Sequence, residues 1–131
     1  MRRFCLAMGL ALTNPAGAEE LTSGGMLFML HCAACHGEDG RGNGSVAPAL
    51  KTAPSDLTRL AEANAGVFPA AKVIAQIDGR DALVAHGGTM PVYGWFFEGP
   101  EASVALPDGS TIKTTEAIKE IVSWLQSLQG S

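Results

Sequence analysis

The sequence is poor in aromatic and in basic residues. Its 131 residues include two Trp, one Tyr and five Phe, which is little aromatic mass for a hydrophobic core. Nine Lys and Arg stand against 13 Asp and Glu, so the formal net charge is −4. Because binding to phosphates requires a basic face, this composition argues against nucleic acid as a partner. An acidic chain is better suited to partners with a basic docking patch.

A long apolar run is also missing. The apolar stretch at residues 4–12 is too short to span a bilayer. It follows Arg2 and Arg3 and precedes a small-x-small site that ends at Ala18. This pattern predicts a secretory signal peptide over residues 1–18, cleaved after Ala18, with a retained anchor as the alternative. We therefore expect an exported protein whose mature form has no membrane span.

Cysteine is scarce as well, with three in the chain. Cys5 lies inside the predicted signal peptide, so the mature chain would keep Cys32 and Cys35. Removing 18 of the 131 residues leaves 113, which predicts one domain over residues 19–131. Because the removed segment carries two Arg and no acidic residue, the net charge would change from −4 to −6.

The two remaining cysteines belong to the pentapeptide Cys32-Ala33-Ala34-Cys35-His36. The spacing Cys-x-x-Cys-His is the signature for covalent attachment of haem c. Two thiols three positions apart in a helical turn can each bond a vinyl group of the porphyrin. The imidazole that follows can then bind the iron, so one turn would hold the cofactor by three bonds.

Three other interpretations of the cysteine pair remain open. A structural disulfide is one, and a thioredoxin-like redox pair is another, although no strand–helix–strand pattern surrounds it. A zinc site is the third. It would need a second Cys or His pair at matching spacing, and neither Cys5 nor His86 has a partner that makes one.

Apolar periodicity and capping residues predict several short helices joined by irregular loops. The clearest helix begins after Thr115 and places Ile118, Ile121, Val122 and Leu125 on one face. The other expected elements are a helix over 22–36 capped by Thr22 or Ser23, a Gly-rich loop over 37–44, a short helix over 57–63 capped by Asp56, a helix over 70–77 that stops at Asp78-Gly79, a loop over 82–100 and a weak hairpin over 104–112. The predicted fold class is all-α, with a possible β-hairpin insertion before the last helix.

From about residue 23 to 128 the chain resembles the bacterial class I cytochromes c. Gly24 and Phe28 stand eight and four residues before Cys32, as in that family, and Ile121 and Trp124 are similar to its contact on the last helix. The resemblance implies a small fold of short helices around one covalently bound haem. A buried haem would supply the apolar mass that the chain lacks, so we expect a poorly folded apo form.

The resemblance also implies a set of iron ligands. His36 would be the proximal ligand, oriented by the carbonyl of Pro48, although that proline can also merely shape its loop. Met90, in Thr89-Met90-Pro91, matches the family's distal ligand, and His86 is the rival. Covalent haem c is assembled outside the cytoplasm in bacteria, so we expect a periplasmic location.

The segment formed by residues 91–114 is longer than the corresponding connection in the smallest cytochromes c. Tyr93 and Trp95 are expected to seal the haem pocket, and the hairpin is a hypothetical docking element for a partner. Several side chains are chemically suited to bind the haem propionates, and the sequence does not choose among them.

The resemblance predicts a non-enzymatic carrier of single electrons between redox proteins, acting as a monomer or in transient complexes. A haem subunit of a larger periplasmic oxidoreductase is one alternative. A gas-binding haem sensor with a labile Met90, or a small peroxidase, is the other.

Overall fold

The computed structural model describes residues 22–80 and 89–130. The α-helices of this part are α1 (Ser23–His31), α2 (Ala33–His36), α3 (Ala70–Asp78) and α4 (Glu116–Ser127). Three 3₁₀ turns cover Ala47–Ala49, Leu57–Arg59 and Glu62–Asn64, and two strands, β1 (Glu101–Ala105) and β2 (Thr111–Thr115), form an antiparallel hairpin. The fold is thus mostly helical with a hairpin before the last helix.

The predicted capping residues begin their elements as expected. Thr22 accepts a hydrogen bond from the Gly25 amide, Asp56 from the Thr58 amide and Thr115 from the Ile118 amide. Each of these side chains satisfies an amide that has no partner within its own first turn.

Three predicted boundaries need correction. The helix expected over 22–36 is two helices, because the backbone departs from regular helical geometry at Cys32, which has φ −119°. The helix expected over 57–63 is a pair of 3₁₀ turns instead. The hairpin is longer than predicted and reaches the start of α4. By contrast, α3 does end at Gly79, whose φ of +62° suits glycine.

The core is centred on the crossing of α1 and α4. The rings of Phe28 and Trp124 lie with centroids 4.5 Å apart. Gly24 approaches the Glu120 carbonyl so closely that a Cβ would overlap it. The apolar face of α4 and one face of α3 complete the core, which contains Ile74, Ile77, Phe97, Ile118, Ile121, Val122 and Leu125.

The segment that follows residue 89 lies against the end of α3. The amides of Tyr93 and Gly94 donate to the carbonyls of Ile77 and Asp78 at 3.0 and 2.8 Å. The hairpin comes next, and its cross-strand pair Val104 and Ile112 packs against the core. The chain a few residues after position 90 is therefore fixed to the end of α3.

The predicted cleavage site and the domain boundary at residue 18 lie outside the described residues and stay predictions. Within residues 22–80 and 89–130, none of the helices has the length and apolar character needed to cross a membrane.

Candidate functional site

One short helical turn carries the three residues of the attachment motif. Cys32 precedes α2, and Cys35 and His36 lie within it. The amides of Cys35 and His36 both donate to the Cys32 carbonyl, at 3.1 and 2.9 Å. This turn presents two thiols and an imidazole from five consecutive residues.

The Gly-rich loop after the motif folds back onto this turn. The amides of Gly42, Gly44 and Val46 donate to the carbonyls of His36, Cys35 and Ala34 at 2.7, 3.1 and 3.0 Å. A Cβ at Gly44 would overlap the Ala34 backbone, so glycine is required there. The loop thereby satisfies carbonyls at the end of a helix that is only four residues long.

Both cysteines are free thiols, and the disulfide interpretation is not realised in this structure. Burial raises the pKa of the Cys32 thiol to about 11, and the neighbouring Cys35 adds to this effect. A thiol with so high a pKa is uncharged at neutral pH. In the part of the chain that the structure describes, no cluster of three or more His, Cys, Asp or Glu could hold a metal ion.

His36 is half-buried, and burial lowers the pKa of its imidazole. Its Nδ1 lies 3.2 Å from the Ser55 carbonyl, and this hydrogen bond partly opposes the effect of burial. When Nδ1 carries the proton it donates to that carbonyl, and Nε2 is then left with a free lone pair for a metal.

The partner of His36 in this structure is therefore the Ser55 carbonyl, whereas the sequence predicted the Pro48 carbonyl. Pro48 is exposed in the 3₁₀ turn Ala47–Ala49. Its role in orienting His36 stays a prediction. The two residues His36 and Ser55 lie 19 positions apart, and no spacing rule pointed to the pair.

Met90 is half-buried and packs against the hydrophobic core. It lies in irregular backbone, where the loop was predicted. Its rival His86 lies outside the described residues. Ligation of iron by Met90 stays a prediction.

Tyr93 lies beside the attachment motif. Its hydroxyl donates to the His31 carbonyl at 3.0 Å, and burial together with the nearby Cys32 and Cys35 raises its pKa. Trp95 is 72% exposed, with the Arg80 guanidinium 5.6 Å from its ring centroid. Both remain candidates for the haem pocket. The sequence predicted neither the hydrogen bond of Tyr93 nor the contact of Trp95 with Arg80.

Sequence reasoning missed His31. Its ring is in contact with those of Phe96 and Phe97, at centroid distances of 4.6 and 5.3 Å. Its position directly before Cys32 was a signal that could have drawn attention to it.

The donor set and the apolar surface fit a porphyrin. The thiols are free, and the imidazole has a lowered pKa that favours its neutral, metal-binding form. Large apolar side chains stay exposed on the loop after the motif and beside Met90, namely Val46 (41%), Leu50 (43%) and Val92 (45%). A flat apolar group bound through the cysteines can cover such side chains, which the described residues leave in water.

A family model described as Cytochrome c matches residues 21–129. No curated protein and no solved structure matches the chain.

Proposed function

Since the chain belongs to the cytochrome c family and its cofactor is covalent haem c with iron, we propose that it carries single electrons between redox proteins in the periplasm. The observation that supports this most directly is the turn of α2, where Cys32, Cys35 and His36 are available together. Haem c, when bound, supplies a one-electron iron couple. Every further step depends on what the chain's own residues do.

Cys32 and Cys35 would hold the cofactor through thioether bonds, and His36 would bind the iron through Nε2. The hydrogen bond from Nδ1 to the Ser55 carbonyl at 3.2 Å restrains the rotation of the ring. It also strengthens the imidazole as a donor, because a hydrogen bond to the far nitrogen raises ligand basicity.

Met90 would supply the sixth ligand. A thioether favours reduced iron more than a second imidazole does, which raises the reduction potential. With both His36 and Met90 bound to the iron, no position on it would remain for a substrate, so these residues would support the transfer of electrons. The half-buried position of Met90 against the core favours a ligand that is held in place.

The first experiment is the absorption spectrum of the exported protein, oxidised and reduced, with and without carbon monoxide. We expect a reduced c-type spectrum that carbon monoxide does not change. A spectrum that shifts with carbon monoxide would contradict the proposal and favour a sensor or a catalyst with an open sixth position. Location is tested separately, by fractionating the cells and identifying the mature N-terminus, which we expect at residue 19.

A second candidate function is that of a haem subunit held permanently in a larger oxidoreductase. The exposed apolar side chains Leu30 (75%) and Phe96 (62%) favour it, because such side chains often mark an interface. The mass of the native protein in solution separates the two functions. A monomer supports the free carrier, and a stable complex with another chain supports the subunit.

A further inference from the structure

The segment after Met90 holds the end of α1 at a single residue, His31. The Tyr93 hydroxyl donates to the His31 carbonyl at 3.0 Å. The rings of Phe96 and Phe97 contact the His31 imidazole at centroid distances of 4.6 and 5.3 Å. Tyr93, Phe96 and Phe97 thus all contact His31. His31 is the last residue of α1 and directly precedes the first attachment cysteine.

The same segment is anchored on its other side to α3. The amides of Tyr93 and Gly94 donate to the carbonyls of Ile77 and Asp78 at 3.0 and 2.8 Å. Gly79, at the end of α3, has no space for a Cβ because Val92 packs over it. Tyr93 therefore joins the ends of two helices, and it stands three residues after Met90.

The chemistry of this hydrogen bond explains why a tyrosine suits the position. Carbonyls in the last turn of a helix lack partners within the helix, and the His31 carbonyl is one of them. A half-buried hydroxyl that loses its acceptor is destabilised unless water replaces that acceptor. Opening of the segment would exchange this hydrogen bond for bonds to water at a net cost in free energy, so the bond opposes opening.

We propose that Tyr93 is a positioning residue for the sixth ligand, holding the Met90 segment closed through its hydrogen bond to the His31 carbonyl. This inference depends on the proposed ligation of iron by Met90. Tyr93 itself touches neither the metal nor a substrate in this role. It sets the fraction of molecules in which the segment opens and Met90 leaves the iron.

The effect is measurable with an added ligand that binds the sixth position in the open form. The apparent affinity of such a ligand is proportional to the open fraction. Loss of one hydrogen bond changes an equilibrium by a factor of about five. Free imidazole is a suitable probe, because it replaces a thioether on ferric haem and changes the absorption spectrum.

The experiment is an imidazole titration of the oxidised holoprotein as wild type, Tyr93→Phe and Ser127→Ala. Tyr93→Phe keeps the ring and removes the hydroxyl, so we expect the Kd for imidazole to fall about fivefold. Ser127→Ala is the matched control. It removes a hydroxyl that donates to the Trp124 carbonyl at 2.6 Å, far along the chain from Met90, and we expect an unchanged Kd. Thermal unfolding of all three proteins is recorded beside the titrations.

Two outcomes would overturn the inference alone. One is an unchanged Kd in Tyr93→Phe, and the other is an equal fall in both variants, which would indicate general loosening. A wild type without the thioether–iron absorption band would instead overturn the ligation by Met90, and the inference with it. The wild-type spectrum thus separates failure of the proposed function from failure of the inference.

Discussion

Gly24 of α1 lies so close to the backbone carbonyl of Glu120 in α4 that a Cβ on Gly24 would overlap it. The two helices can therefore cross only at a residue without a side chain. The nearby tilted contact between the rings of Phe28 and Trp124 depends on this approach, since the rings fill the space beside the crossing.

We predict that Gly24→Ala lowers the free energy of unfolding by about 2 kcal/mol, because the helices must separate to admit the methyl group. Gly99→Ala is the control, since a Cβ at Gly99 meets no atom within 4 Å. Denaturant unfolding of the holoproteins measures both. Equal stability of the two variants would mean that the close approach at Gly24 is not needed.

The sixth ligand is tested directly by Met90→Ala. We expect loss of the near-infrared thioether–iron absorption band and a lower reduction potential, because reduced iron loses its stabilising thioether. Met26→Ala is the control, since Met26 is 53% exposed on α1, and we expect its spectrum to match the wild type. Survival of the band in Met90→Ala would assign the ligand to another residue.

Acid should weaken the contact between Asp78 and Arg80. Arg80 donates to both carboxylate oxygens, at 2.5 and 2.9 Å, and this lowers the pKa of Asp78 below its ordinary value of 3.8. A lowered pKa stabilises the fold above pH 3.8, and the contribution is lost as the pH falls through the folded-state pKa. We therefore predict that Asp78→Asn is less stable than wild type at pH 7 and that the difference shrinks as the pH falls below 3.8.

Unfolding by denaturant at pH 7 and at a series of pH values below 3.8 measures this difference. Glu101→Gln serves as the control, because Glu101 has no ion pair with any residue of the described part of the chain. The linkage would be refuted by a gap between wild type and Asp78→Asn that stays constant with pH.

The hairpin contributes to stability through its inner face. Val104 pairs with Ile112 across the strands, and both pack against the core. We predict that Val104→Ala lowers the free energy of unfolding by about 1 kcal/mol, whereas Val67→Ala, at a position that is 46% exposed, has a smaller effect. Equal effects of the two substitutions would show that the hairpin adds no core contact.

The hypothesis that a redox partner docks at the hairpin is better tested by a substitution than by a deletion. Deletion of residues 102–111 would remove core contacts together with any docking surface, so a slower electron transfer would have two explanations. Substitution of an outward residue of β2, such as Lys113→Glu, keeps Val104 and Ile112 in place. Unchanged transfer rates to the redox partners after this substitution would count against docking at the hairpin.

The sequence predicted the elements that depend on neighbouring residues. Thr22, Asp56 and Thr115 cap the turns that follow them, and Gly79 ends α3, because capping involves residues within a few positions of each other. The break at Cys32 was missed. The sequence predicted one continuous helix through that residue, while the structure turns the chain there to begin α2.

The sequence by itself determined the attachment motif and the family's fold. Five consecutive residues place two thiols and an imidazole on one turn, and local geometry alone brings them together. The tertiary structure alone decided the supporting contacts, such as His36 with Ser55 and Tyr93 with His31, which join residues 19 and 62 positions apart. Irregular loops carry these residues into contact. The path of such a loop depends on the packing of the whole domain, so no local pattern in the sequence specifies it.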